Sequence, residues 1–214
     1  VYMRDLCWTY AELDNISNQI AAVFVDDLNL VTGNRVLLRG NNTPMLMALW
    51  YGVLKAGGIV VTTMTMLRQK ELDAIIEVGK PSIILIENDL SIDILDSCQD
   101  KASHVLSFSD IKQKMTTKNG QFDAVQTSSQ DVAMLAFTSG TTGLPKATMH
   151  FHRDVLAMAD SFAKHTLNPV AEDVFCGSPP LAFTFGLGGM LVFPARFGAS
   201  VVYFEGGGPD VILD

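Results

Sequence analysis

The sequence predicts an α/β fold in which parallel sheets are flanked by helices. In the first half of the chain, short apolar strands and helical segments alternate four times, which is the pattern of parallel strands joined by right-handed crossovers. Hydrophobic residues make up 48% of the sequence and charged residues only 18%, which is typical of a sheet buried on both faces. A chain of 214 residues is also long enough to bury a sizeable core without disulfides.

The elements of the first half each carry a local signal. Thr9 and Glu12 form a capping box, and the apolar spacing behind them predicts a helix that runs to about Asp27. Thr43 followed by Pro44 predicts the start of a second helix. Apolar periodicity adds a third helix at residues 69–78 and strands at residues 36–38, 59–61, 82–86 and, more weakly, 104–106.

A polar stretch divides the chain into two predicted segments. Residues 112–130 are rich in Lys, Thr, Gln and Ser, and we interpret them as a connector between residues 1–111 and residues 131–214. The second segment resumes the alternation, with strands and helices predicted at residues 132–137, 153–165, 174–176, 187–193 and 200–204. The last strand is expected to have a bare edge, so the chain is expected to pair with a second copy as a homodimer.

Charge and cysteine content restrict the partners and the location. A net charge of −8 argues against nucleic acid and anionic membranes as partners. The uncharged stretch at residues 174–195 is long enough to cross a membrane, but its prolines and glycines favour buried core and loop. Cys7, Cys98 and Cys176 match no disulfide or metal-binding spacing, which predicts a reducing, cytoplasmic location.

The clearest chemical signal lies where an apolar strand runs into small polar residues and then a lysine. Glycines there permit positive φ, so backbone N–H groups can point into one concavity, and the lysine adds a positive charge. This combination suits a polyphosphate, and an ordinary strand-to-helix turn is the alternative. It is not a Walker loop, because Leu144 and Pro145 precede the lysine and Ala147 follows it. The candidate cofactor-binding residues are Thr138, Ser139, Gly140, Thr141, Thr142, Gly143 and Lys146.

Residues 137–146, Phe-Thr-Ser-Gly-Thr-Thr-Gly-Leu-Pro-Lys, closely resemble the phosphate-loop signature of the adenylate-forming superfamily. That superfamily includes acyl-CoA synthetases, luciferases and peptide-synthetase adenylation domains. Residues 150–156 and 178–189 look most like aryl-CoA ligases that act on benzoate or 2-aminobenzoate. Ala147 stands where the family usually has glycine, which would cost about 1 kcal/mol if that position needs positive φ.

The resemblance implies a fragment from the large N-terminal domain of an acyl- or aryl-CoA ligase. Such an enzyme joins a small carboxylic acid to the α-phosphate of ATP, releases pyrophosphate, and passes the acyl group to coenzyme A, with Mg²⁺ as the metal. In this chain the loop and Lys146 would hold the β- and γ-phosphates. The acyl pocket, shaped for an aromatic acid, would involve Phe183, Phe185 and Gly186, although ordinary core packing is an alternative for the two phenylalanines.

Several family elements have no counterpart in these residues. The motifs for adenine, ribose and Mg²⁺ and the catalytic lysine are not found, so the resemblance implies that no catalytic residue is present and that the fragment alone is inactive. His150 and His152 are interpreted as hydrogen-bonding groups at the entrance of a helix, not as metal ligands. The alternative function is a non-catalytic nucleotide-binding or scaffolding module that retains only the loop.

Overall fold

The computed structural model describes residues 1–90, 92–138 and 145–204. The strands are β1 (Tyr2–Met3), β2 (Leu6–Cys7), β3 (Arg35–Arg39), β4 (Ile59–Thr63), β5 (Ile83–Ile86), β6 (His104–Ser107), β7 (Val132–Thr138), β8 (Lys146–Phe151), β9 (Val174–Cys176) and β10 (Ser200–Val202). The helices are α1 (Tyr10–Ala22), α2 (Pro44–Lys55), α3 (Gln69–Gly79), α4 (Ile92–Cys98), α5 (Phe108–Met115), α6 (His152–Met158), α7 (Thr184–Leu187) and α8 (Phe193–Phe197). Wider π-helical turns extend α1 to Asp27 and α6 to Leu167, and join α7 to α8.

The larger of the two sheets has six strands in the order β6-β5-β3-β4-β7-β8. The first five strands are parallel, which confirms the predicted parallel sheet, and only β8 runs antiparallel, beside β7. Alternate residues of β3 face opposite sides, because Val36 and Leu38 belong to the core beneath α1 and α2 while Leu37 packs with α3 and α4. Since parallel strands end at the same edge, all five of their following loops meet there.

The second sheet has four strands in the order β2-β1-β10-β9. Strand β10 is parallel to both β9 and β1, so both of its edges are paired. The prediction of a bare edge is therefore wrong, because Tyr2, at the far end of the sequence, accepts a hydrogen bond of 2.9 Å from the Tyr203 N–H. The homodimer, which was expected from that bare edge, therefore has no support from β10. Within the described residues no helix is long and apolar enough to span a bilayer, the 174–195 stretch included.

The predicted helices α1, α2 and α3 are confirmed, and their caps explain where they begin. Thr9 accepts from the Glu12 N–H while Glu12 accepts from the Thr9 N–H, which completes the predicted capping box. Thr43 caps α2 through the Leu46 N–H. The predictions omitted β1, β2, α4, α5 and β8. Strand β8 is the consequential omission, because the loop after β7 returns as a hairpin and not as a strand-to-helix turn.

The polar connector, residues 112–130, binds to helix α1 and to the extension of that helix. Lys118 forms ion pairs with Asp26 at 3.1 Å and Asp27 at 2.8 Å, and its pKa is raised by these contacts, the hydrogen bond to Asp27 most of all. The Gln19 side chain donates to the Lys118 carbonyl oxygen. The start of the 112–130 stretch belongs to α5, and strands from both sides of it share each sheet. The division of the chain at this stretch stays a prediction.

Helices α1 and α2 cross closely at Gly52. A β-carbon at Gly52 would clash with the side chain of Ile20, which is fully buried. Gly52→Ala should therefore lower the free energy of unfolding by about 1–3 kcal/mol through overpacking. Gly189 is the matched control, because a β-carbon there meets nothing within 4 Å. Gly189→Ala should be neutral or stabilise by up to about 1 kcal/mol, and urea unfolding that shows equal effects would contradict this packing.

Candidate functional site

The candidate loop is carried by the β7–β8 hairpin. The register pairs Thr138 directly with Lys146, and the Thr138 hydroxyl donates to the Lys146 carbonyl oxygen at 3.5 Å. The hairpin is further tied by the Thr148 hydroxyl, which donates to the Ala136 carbonyl oxygen at 3.0 Å. Both ends of the loop sequence therefore meet at the carboxyl edge of the sheet, on the side away from β6.

Thr138 and Lys146 are the two predicted phosphate-binding residues that the structure describes. Both are exposed, and no carboxylate among the described residues forms an ion pair with Lys146. The ammonium group thus faces solvent at the point where the loop returns to the sheet. The other predicted residues of this set lie outside the described residues: Ser139, Gly140, Thr141, Thr142 and Gly143.

Ala147 is compatible with its position. It lies in β8 opposite Phe137 and is not among the residues with positive φ. The strain that a left-handed backbone would impose on alanine therefore does not arise here.

The two histidines lie on different elements. His150 is a residue of β8, opposite Met134, so its predicted place at a helix entrance is wrong. Its Nε2 lies 3.2 Å from the Thr148 hydroxyl oxygen. His152 is the first residue of α6, where partial burial lowers the pKa of the imidazole and the charge of Asp131 partly offsets that effect.

A second loop, residues 179–186, follows β9 and includes the first residues of α7, and it is held at the same edge of the six-stranded sheet. The Asn42 side chain, in the loop after β3, donates to the Pro179 carbonyl oxygen at 2.9 Å and accepts from the Leu181 N–H at 2.7 Å. The Thr62 hydroxyl, in β4, donates to the Ala182 carbonyl oxygen at 3.1 Å. Because β4 lies next to β7, this loop is attached to the strand that adjoins the β7–β8 hairpin.

The three predicted acyl-pocket residues lie in this second loop. Phe183 is 50% exposed and Phe185 is 72% exposed, so neither packs in the core of the described chain. Gly186 is buried, and a β-carbon there would clash with the backbone carbonyl oxygen of Pro180. The glycine thus allows the turn that carries the two exposed rings.

Sequence reasoning overlooked Asn42 and Thr62. Asn42 stands directly before Thr43 and Pro44, which begin α2, and asparagine is common near the start of a helix, so the residue gives no local sign of a further role. Thr62 lies in an apolar strand, where threonine is common. Their partners are 120 or more positions away in the sequence, and no local signal indicates such contacts.

A hydroxyl- and glycine-rich loop with a lysine, at the carboxyl edge of a parallel sheet, is the arrangement of nucleotide-binding α/β enzymes. The family model described as AMP-binding enzyme matches residues 1–213, and the chain belongs to the AMP-binding enzyme family. The resemblance to adenylate-forming ligases is thereby confirmed.

Relatives of this chain include CoA ligases for aromatic and aliphatic acids. Benzoate–CoA ligase of Thauera aromatica is 26% identical over 94% of this chain and 40% of its own. Long-chain-fatty-acid–CoA ligase FadD13 of Mycobacterium tuberculosis is 28% identical over 74% of this chain and 32% of its own. The anthranilate CoA ligase AuaEII, solved in complex with anthranoyl-AMP, superposes with a TM-score of 0.88 at 25% identity, over 96% of this chain and 40% of its own. The chain thus spans two fifths or less of the length of each of these three proteins.

The partly buried His152 predicts a pH dependence of stability. Its pKa in the folded chain lies below the ordinary value of 6.5, so the unfolded chain binds more protons as the pH falls below that value. The free energy of unfolding should therefore decrease as the pH falls from about 7.5 to about 5.5. His152→Gln should remove that part of the decrease in urea unfolding, whereas His165→Gln, at an exposed histidine, should keep it. Equal pH slopes for His152→Gln and the unaltered protein would contradict the assignment.

Proposed function

We propose that this chain is part of an ATP-dependent, AMP-forming acid–CoA ligase whose substrate is a small aromatic carboxylic acid. The observation that carries the proposal is that Thr138 and Lys146, the two described ends of the signature, pair at the same sheet edge to which the loop that bears Phe183 and Phe185 is attached. In such an enzyme ATP and the acid must meet, because a carboxylate oxygen attacks the α-phosphorus. A P–O bond forms to the acid, the bond to the β-phosphate breaks, and pyrophosphate leaves.

The hairpin supplies groups suited to the leaving end of ATP. The Lys146 ammonium and the Thr138 hydroxyl lie at the two ends of the loop, where they can face the β- and γ-phosphates. A positive charge beside departing pyrophosphate stabilises the charge that develops as the bond breaks. Residues 139–143 would add backbone N–H donors, an assignment that rests on their sequence.

The described residues do not fit a complete site for Mg²⁺. They hold no group of three His, Cys, Asp or Glu side chains able to bind a metal ion, so we derive no step through Mg²⁺. Coenzyme A is the acyl acceptor in this proposal.

We further infer that the 214 residues alone form no acyl-adenylate, because the resemblance puts the catalytic lysine and the metal ligands outside them. Pyrophosphate release from ATP and benzoate by the chain alone should then equal the blank.

The role of Lys146 can be tested by binding. Lys146→Ala should weaken the affinity for pyrophosphate and for ATP about tenfold or more, because one charge-assisted contact is lost. Lys112→Ala, at an exposed lysine of α5, is the control and should leave both affinities unchanged. Titration calorimetry measures both, and equal binding by all three proteins would remove Lys146 from the phosphate role.

The role of Phe183 can be tested by selectivity. In the full-length protein, Phe183→His should lower the ratio of kcat/KM for benzoate to that for butyrate, because it replaces an apolar face with a polar ring. Pocket changes of this kind amount to about 1–3 kcal/mol, or roughly tenfold to a hundredfold. Phe162→His is the matched control, at a phenylalanine that is 52% exposed on the extension of α6. An unaltered ratio of kcat/KM in Phe183→His, for benzoate or for 2-aminobenzoate relative to butyrate, would overturn the assignment.

A further inference from the structure

The second loop is joined to the six-stranded sheet by a small set of polar contacts. The Asn42 side chain forms two hydrogen bonds with the backbone of this loop, because its amide group donates to the Pro179 carbonyl oxygen and accepts from the Leu181 N–H. This pairing imitates one step of a β-ladder, with a side-chain amide in place of a peptide group. The same residue thus bonds to both sides of the Pro180 position.

Thr62 makes the third contact, one residue further along the loop. Its side chain is almost fully buried, and its hydroxyl donates to the Ala182 carbonyl oxygen. Thr62 is paired with Leu38 in the sheet register. The contact therefore joins the loop to β4, a strand that is paired on both of its sides.

The contacts end directly before the exposed ring of Phe183. Its N–H donates to the Pro180 carbonyl oxygen at 3.0 Å, and its own carbonyl oxygen accepts from the Leu187 N–H at 2.8 Å. Leu181 and Leu187 are both buried and anchor the loop on either side of the ring. The backbone that carries the phenyl ring is thus fixed on both sides by hydrogen bonds and by buried neighbours.

We propose that Asn42 and Thr62 are positioning residues that hold the 179–186 loop and thereby set the selectivity for the acid. The part that concerns selectivity rests on the proposed function, whereas the holding of the loop does not. Neither residue touches the acid in this proposal. Both act through the backbone of the loop, on the place of the Phe183 ring.

The holding of the loop is tested by hydrogen exchange on the full-length protein, without any need for activity. Asn42→Ala removes the acceptor of the Leu181 N–H, so exchange in the peptide that spans residues 179–187 should become at least tenfold faster. Asn41→Ala is the matched control at the neighbouring position, because the Asn41 side chain donates instead to Glu87. Unchanged exchange in a folded Asn42→Ala protein would overturn the proposal.

A second pair of variants covers a failure of Asn42→Ala to fold. Thr62→Val keeps the shape of the side chain and removes only the hydroxyl that donates to Ala182. Thr63→Val is its control, since the Thr63 hydroxyl donates to Leu38, within the six-stranded sheet. Exchange in the 179–187 peptide should rise in Thr62→Val and not in Thr63→Val. Equal exchange in the two would count against the proposal.

Selectivity is then measured on the same four variants of the full-length protein. Asn42→Ala and Thr62→Val should lower the ratio of kcat/KM for benzoate to that for butyrate by about tenfold while KM for ATP stays constant; Asn41→Ala and Thr63→Val should keep the ratio. An unchanged ratio, or a parallel rise of KM for ATP, would overturn the selectivity role. Activation of neither acid by the unaltered protein would overturn the proposed function and the selectivity role together, while the exchange result would still decide whether Asn42 and Thr62 hold the loop.

Discussion

The parallel ladder of β3, β4 and β5 is the constraint on which the rest of the structure depends. These strands are buried on both faces, so their backbone groups must pair with one another and their register is set by apolar side chains. A parallel ladder ends all of its strands at one edge. Asn42 after β3, Thr62 near the end of β4 and Thr138 at the end of β7 therefore lie at one edge of the sheet, although they are far apart in sequence.

A buried charge stabilises the loop after β4. Arg39, the last residue of β3, is 1% exposed, and its guanidinium donates to the carbonyl oxygens of Met64, Thr65 and Leu67. Burial lowers the pKa of Arg39 from its ordinary value, and hydrogen bonds to the three carbonyl oxygens compensate for the lost contacts with water. The backbone after β4 is therefore ordered by a side chain of the neighbouring strand.

Two tyrosine hydroxyls hold the backbone around the second sheet. The Tyr203 hydroxyl donates to the Met190 carbonyl oxygen at 2.8 Å, and the Tyr10 hydroxyl donates to the Ala199 carbonyl oxygen at 2.5 Å. Burial raises the pKa of both tyrosines, so both remain neutral donors at ordinary pH. Together with the pairing of β1 and β10, these bonds fix the second sheet, from which the 179–186 loop departs.

The sequence by itself determined the elements with local signals and the chemical type of the site. The capping box at Thr9, the Thr43-Pro44 start of α2, the buried strands and the phosphate-loop signature all depend on residues within a few positions of one another. Only the tertiary structure decided that β8 turns back beside β7, that β10 lies between β1 and β9, and that Asn42 and Thr62 hold the loop of Phe183. Those outcomes depend on hydrogen bonds between distant residues, and a backbone donor or acceptor has the same chemistry at every position, so its partner leaves no mark in the local sequence.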